Sequence, residues 1–209
     1  MRSRATGIRL APVAACFTAW TALTPASWTP QERRAPDIFY APTRQAVVYE
    51  MLDLARVTAD DVIYDLGSGD GRIPILAAQK YGTRGVGIEI DPKLVATSRQ
   101  IARDAGLDHL VTFVEGDFFT AEIRAATVVT LYLSPTINRD LEPRLRRELR
   151  PGTRIVSHQF AIGRWTPDRV VRSKEDDTNL FLWTVPSAAP ELREHVLEQP
   201  LVVSRRVVR

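Results

Sequence analysis

Asp65-Leu66-Gly67-Ser68-Gly69-Asp70-Gly71 follows the short apolar run Val62-Ile63-Tyr64 and precedes Ile73, Leu76 and Ala77, which take up helical spacing. The stretch therefore reads as a buried strand, a glycine loop and a helix. Glycines at alternate positions permit a tight turn and let the backbone approach a ligand at the start of the next helix. Glycine loops of this kind occur with several cofactors, so the flanking charges have to decide between them.

Outward from the loop, strand-like and helix-like segments alternate. Gly85 to Ile88 reads as a second strand closed by Glu89, and Asp91-Pro92 as a cap with proline at the first helical position. Leu94, Val95, Ser98, Ile101, Ala102 and Ala105 are expected to line one face of that helix, with Gly106 after its last turn. Val111 to Val114, running into Gly116-Asp117, is a third strand, and Thr127 to Leu133 a fourth. Ser134-Pro135 opens the next helix, in which Leu141, Leu145 and Leu149 keep a four-residue spacing, but Pro143 predicts a break into two pieces. Arg154 to Phe160 is a fifth strand, and Val170-Val171 with Leu180 to Val185 a closing hairpin. Upstream, Thr43 is expected to cap a helix carrying Val47, Met51, Leu54 and Ala55 on one face. Leu192 to Leu197 suggests a short helix and Leu201 to Val208 a β-like tail. The pattern predicts an α/β fold: a doubly wound, mostly parallel seven-stranded sheet of Rossmann-like build with an antiparallel final hairpin.

The 209 residues, 44% hydrophobic and 25% charged, suit one well-buried domain. We place it at 37–186, between a leader and linker (1–36) and a C-terminal extension (187–209). A net charge of +3 does not argue for bulk capture of nucleic acid or anionic lipid. The single cysteine, Cys16, and the scattered His109, His158 and His195 offer no ligand spacing, so no metal is expected. Arg2, Arg4 and Arg9 precede the apolar run Leu10 to Leu23, which ends in Thr-Pro-Ala-Ser, the layout of a secretory signal. That leader predicts cleavage after Ala26 and cell-envelope or membrane association; a cytoplasmic location is the alternative, because the cofactor deduced next is cytosolic.

Charge separates two nucleoside ligands. A pyrophosphate needs a neutral or basic loop, whereas this loop is bracketed by Asp65 and Asp70 with no lysine. Its glycines also step by two, where a dinucleotide loop steps by three before its last glycine. The carboxylates suit the ammonium and sulfonium of S-adenosyl-L-methionine. Glu89 is placed to accept both ribose hydroxyls, and Asp117 an adenine amino group, with Ile90 or Phe118 against the ring.

Residues 61–160 resemble the seven-strand, class I S-adenosylmethionine-dependent methyltransferases. A narrower likeness rests on Phe39-Tyr40-Ala41-Pro42-Thr43, on Asp65 to Ile73, and on Ser157-His158-Gln159-Phe160 with Trp165. These look like the adenine nucleotide translocase and ATP synthase c-subunit lysine methyltransferases and their bacterial relatives. The resemblance implies N-methylation of a protein lysine, with Tyr40 and Thr43 in a loop over the cofactor's methionine end. The sequence departs from the mitochondrial enzymes at Ile90-Asp91-Pro92, where they carry Leu-Asn-Pro.

Methyl transfer needs nucleophile and methyl held in line at about 3 to 3.5 Å and requires neither a metal nor a covalent residue. A lysine acceptor must be deprotonated, and desolvation beside a cationic cofactor favours that. The acceptor pocket is expected at the fourth strand's end, from Tyr132, Ser134 and Pro135, with Tyr40, His158 and Trp165 as further walls. Leu133-Ser134-Pro135-Thr136 lacks the second proline and the aromatic of base-methylating enzymes. Arg139, Arg144, Arg146, Arg147 and Arg150 alternate with acids, as on a solvated helix face, so a nucleic-acid partner is not expected. A non-catalytic cofactor-binding envelope module and a dinucleotide-dependent oxidoreductase are the rival readings.

Overall fold

A computed structural model describes residues 41–187. Tyr40, the leader and the predicted elements beyond Pro186 lie outside the described residues.

The order is α1 (Gln45–Leu54), β1 (Val62–Leu66), α2 (Arg72–Tyr81), β2 (Arg84–Glu89), α3 (Pro92–Asp104), β3 (Val111–Glu115), β4 (Val128–Leu131), α4 (Pro135–Glu148), β5 (Arg154–His158), β6 (Arg169–Arg172) and β7 (Asn179–Thr184). The seven strands form one sheet in the order β3-β2-β1-β4-β5-β7-β6. Neighbours from β3 to β5 are parallel, while β7 runs antiparallel to both β5 and β6. The predicted sheet and closing hairpin are therefore present, and the hairpin's second strand is the one inserted beside β5.

Period-two alternation sends successive residues of the central strands to opposite faces. In β4, buried at all four positions, Val129 and Leu131 join the core under α4, while Val128 joins the core under α1 and α2. Ile75 and Ala78 of α2, Val95 and Ala102 of α3, and Val111 and Phe113 of β3 form a third cluster towards one sheet edge. Among the described residues no helix is long and apolar enough to cross a membrane.

Four local expectations are corrected. The Pro143 break does not occur: α4 is one helix from Pro135 to Glu148. Arg139 and Pro143 are both exposed, so the turn that loses a backbone donor lies on the water side. The helix is held instead by fully buried Leu141 and Leu145. Arg144 does not belong to a solvated face; it is 8% exposed, its guanidinium donates to the carbonyls of Phe118 and Ala121, and it pairs with Glu148 at 3.0 Å. It thereby clamps the loop that carries Phe118. Thr43 does not cap α1, whose N-cap is Arg44 with no side-chain bond. Finally, the buried stripe of α3 is narrower than expected: Val95, Ser98 and Ala102 are buried, Leu94 half-buried, and Ile101 and Ala105 exposed.

Candidate active site

The carboxyl ends of β1, β2 and β4 lie side by side: the chain runs from β1 outward through β2 to β3 on one side, then crosses back to β4 and β5 on the other. Such a reversal opens a crevice at the strand ends. It holds a cavity of about 490 Å³, within the range of small-molecule sites.

The glycine loop is the cavity floor. The N–H groups of Gly67 and Ser68 both donate to the Ile88 carbonyl (2.9 and 3.0 Å), that of Gly71 to Ser68 O (2.9 Å), and that of Gly69 to Glu89 Oε2 (2.9 Å). Four backbone donors that would cradle a phosphate are thus consumed inside the protein. The loop presents carboxylates in their place, and this excludes the dinucleotide reading on electrostatic grounds.

Asp65 is the next-to-last residue of β1 and is 3% exposed; its Oδ1 accepts from Thr130 Oγ1 of β4 at 2.6 Å. Burial pushes its carboxyl up to about 6, against the pull of the Thr130 hydrogen bond, and the charges of Glu89 and Asp70 push the same way. Glu89, 8% exposed at the end of β2, receives the Ile90 and Asp91 N–H groups on Oε1 (2.8 and 2.9 Å). With Gly69 on Oε2, it fastens the glycine loop to β2 and keeps acceptor capacity on Oε2. Asp117, beyond β3, accepts from the Phe119 N–H at 2.8 Å. It lines the cavity with Ile90 and Phe118, and Phe118 is 8% exposed.

Asp70 lines the cavity, but its charge is committed to Arg72, with Nε to Oδ1 at 2.9 Å and Nη2 to Oδ2 at 2.6 Å. Arg72 also donates to the Thr43 carbonyl (2.9 Å), tying the 41–43 segment to the glycine loop. This local role was hidden in a sequence reading that gave Asp70 to the ligand and left Arg72 unassigned; an arginine two residues after an aspartate was the available signal.

Of the remaining candidates, Thr43, Gly67, Ser68, Tyr132 and Ser134 line the cavity. Gly69 and Gly71 do not; they shape the loop from beneath. Pro135 faces a neighbouring hollow. His158 is 3% exposed and sits behind the wall, its ring centroid 4.1 Å from that of Tyr132. Its Nδ1 is 3.4 Å from Thr43 Oγ1, and its Nε2 lies 3.0 Å from Asp176 Oδ2 and 2.9 Å from Thr178 Oγ1. Burial lowers its pKa against the charge of Asp176, so the ring is a neutral brace between the Thr43 segment and the β6–β7 turn. Trp165 is a core residue, tilted against Trp183 at 6.4 Å with Arg146 over its ring at 4.0 Å. The expected acceptor wall thus loses His158 and Trp165 as contact residues and gains Gln159 and Phe160 after β5. Applying to β5 the strand-end rule that found Tyr132 would have found both.

Apart from Arg72, already paired with Asp70, the charged groups around the cavity are Asp65, Glu89, Asp91 and Asp117. The arrangement fits a cationic, hydroxyl-bearing, aromatic ligand. Glu89→Gln is expected to weaken S-adenosylmethionine binding about tenfold or more by isothermal titration, because an amide puts a donor where one or two N–H groups need an acceptor.

Comparison with known proteins agrees with this geometry. The family model described as the ANTKMT methyltransferase domain matches residues 65–169. A protein-lysine N-methyltransferase of Saccharolobus islandicus (strain REY15A) is 41% identical over 153 residues, 72% of this chain and 95% of that protein. The mouse adenine nucleotide translocase lysine N-methyltransferase is 34% identical over 78% of this chain and 70% of its own length. Among solved structures, an RNA methyltransferase from Salinibacter ruber in complex with S-adenosyl-L-homocysteine is 54% identical. It covers 72% of this chain and 97% of its own, with a TM-score of 0.69.

Proposed function

The chain belongs to the ANTKMT methyltransferase domain family, and from that premise we propose that it moves the methyl group of S-adenosyl-L-methionine onto the side-chain amine of a protein lysine. The observation that carries the reading is the acidic cavity itself: buried Asp65, with Glu89 and Asp117 along the strand ends, over a loop whose N–H groups are already used.

Held by Asp65, Glu89 and Asp117, S-adenosyl-L-methionine would supply an activated methyl for in-line displacement by an amine, the N–C bond forming as the S–C bond breaks with its electron pair left on sulfur and the amine's proton passing to water. The residues' tasks follow from their chemistry. Asp65 attracts the cationic end, Glu89 and Asp117 accept from hydroxyl and amino groups, and Ile90 and Phe118 give apolar contact. A lysine entering beside a cationic ligand is favoured in its neutral form, so the Tyr132, Ser134 and Gln159 side of the cavity needs no charged base to receive it.

Support for lysine comes from relatives described as protein-lysine methyltransferases that share most of their length with this chain. A second reading, an RNA acceptor, is favoured by the Salinibacter relative's description. Against it, the arginines of α4 are taken: Arg139 pairs with Asp140, Arg144 and Arg147 with Glu148, and Arg146 with Glu142. Incubating the full chain with methyl-tritiated S-adenosylmethionine and total protein and RNA from the same cells decides between them. Protease-sensitive label that yields methyllysine on acid hydrolysis is expected. Ribonuclease-sensitive label would establish the second reading, and no label at all a non-catalytic module. The basic-then-apolar leader supports an acceptor at a membrane or in the envelope, and N-terminal sequencing of the native protein tests its cleavage after Ala26.

A further inference from the structure

The cavity and a shallower hollow between the first half of α4 and residues 160–164 share Gln159 and Phe160 and none of their other lining residues. Gln159 is exposed and is one of three non-glycine residues with positive φ among those described, at +68°. L side chains rarely adopt this region, and strain there collects at functional sites. The Phe160 N–H donates back to the His158 carbonyl at 2.8 Å, closing a three-residue turn around Gln159, whose own N–H donates to Asn179 O at 2.7 Å. Fully buried Asn138 holds the far side through Nδ2, at 3.1 Å from Phe160 O and 3.4 Å from Ala161 O, and the Ser157 hydroxyl donates to Phe160 O at 2.7 Å.

What the strained turn achieves is the aim of one side chain. Gln159 Oε1 receives the Tyr132 hydroxyl at 3.3 Å and has a second lone pair to offer. Sheet order gives the position meaning. The acids lie at the ends of β1, β2 and β3, whereas Tyr132 and Gln159 follow β4 and β5, on the opposite side of β1. A ligand filling the acidic half leaves the Tyr132–Gln159 half, continuous with the open hollow, for the acceptor.

We propose that Gln159 binds the acceptor amine: its side-chain carbonyl, steadied by Tyr132, accepts an N–H of the incoming lysine and points the nitrogen lone pair towards the methyl group. The assignment rests on the lysine reading above. An amide suits the task better than a carboxylate would, because it orients the amine without adding a negative charge that would hold it as ammonium.

Three variants test this. Q159M keeps the length and loses the carbonyl, so the rate of methyl transfer to total cell protein should fall about 10- to 100-fold while S-adenosylhomocysteine affinity stays within about twofold. Q159G relieves the positive φ and should match or exceed wild-type melting temperature with the same loss of transfer. Q159E restores an acceptor atom with a charge, so activity should return at high pH, its pH–rate profile displaced to the alkaline side because the amine is held as ammonium. A purely structural turn would not move that profile. Wild-type rates in Q159M, an undisplaced profile in Q159E, or joint loss of melting temperature and cofactor affinity in Q159G overturns the assignment. If the wild-type chain labels RNA and not protein, the lysine reading itself fails, and the assignment falls with it for that separate reason.

Discussion

Asp65→Asn is expected to lower S-adenosylmethionine affinity by about 100-fold, the loss associated with removing one partner of a desolvated charge pair, without disturbing the fold. Asparagine keeps an oxygen where Thr130 Oγ1 donates at 2.6 Å, so the buried packing survives and only the charge is lost. Burial holds the Asp65 carboxyl up at about 6, and a cationic ligand binds its ionised form. Affinity of the wild-type protein should therefore fall about tenfold for each pH step below 6 and level off above 7. Titration calorimetry between pH 5 and 8 reads this directly; an affinity independent of pH, or unchanged in the variant, removes Asp65 from the site.

The same group makes an opposite prediction for the ligand-free protein. A folded-state pKa above the ordinary 3.8 contributes stability that is present below 3.8 and lost as pH rises through 6. The rise corresponds to about 3 kcal/mol. At pH 8 the Asp65→Asn protein should therefore melt above wild type, and the gap should close towards pH 4. The site is thus built against stability and for charge, and bound cofactor should restore at pH 8 what the buried carboxylate costs.

Gly71→Ala is expected to destabilise the fold by about 3 to 5 kcal/mol, lowering the melting temperature by about 10 °C or more. Gly71 caps α2 with φ +78°, and a Cβ there would stand 2.5 Å from two ring carbons of Phe113 and 2.7 Å from Ser98 Cβ. Phe113 and Ser98 are buried, so neither can swing aside. Gly82→Ala is the control: its φ is +68°, but nothing lies within 4 Å of the added carbon, so it should cost only the left-handed penalty of about 1 to 2 kcal/mol. Equal melting temperatures for the two variants would show that the crowding beneath the loop is not rigid.

The two glycines separate what a local pattern can tell from what it cannot. Both are glycines beside a helix end in the sequence, and their φ angles are alike. Only the arrival of Phe113 from β3 and Ser98 from α3 makes one of them intolerant of a methyl group. Arg144 teaches the same lesson in polar chemistry. Its i, i+4 partner Glu148 is visible in the sequence, but the Phe118 and Ala121 carbonyls that bury it come from a loop whose position α4 cannot announce. Trp165 and His158 were legible as aromatic residues near the fifth strand, yet one turns into the core and the other behind Tyr132.

The order of strands and helices, the proline and aspartate that start α3, and the acids at three strand ends were all open to reading in the chain alone. Hydrophobic period, capping and the charge of a loop act over a few residues and need no partner from elsewhere. Tertiary structure alone decided that β7 lies between β5 and β6, that Pro143 stays inside a continuous helix, and that Gln159 is twisted into the cavity. All three depend on packing or pairing between residues far apart in the chain.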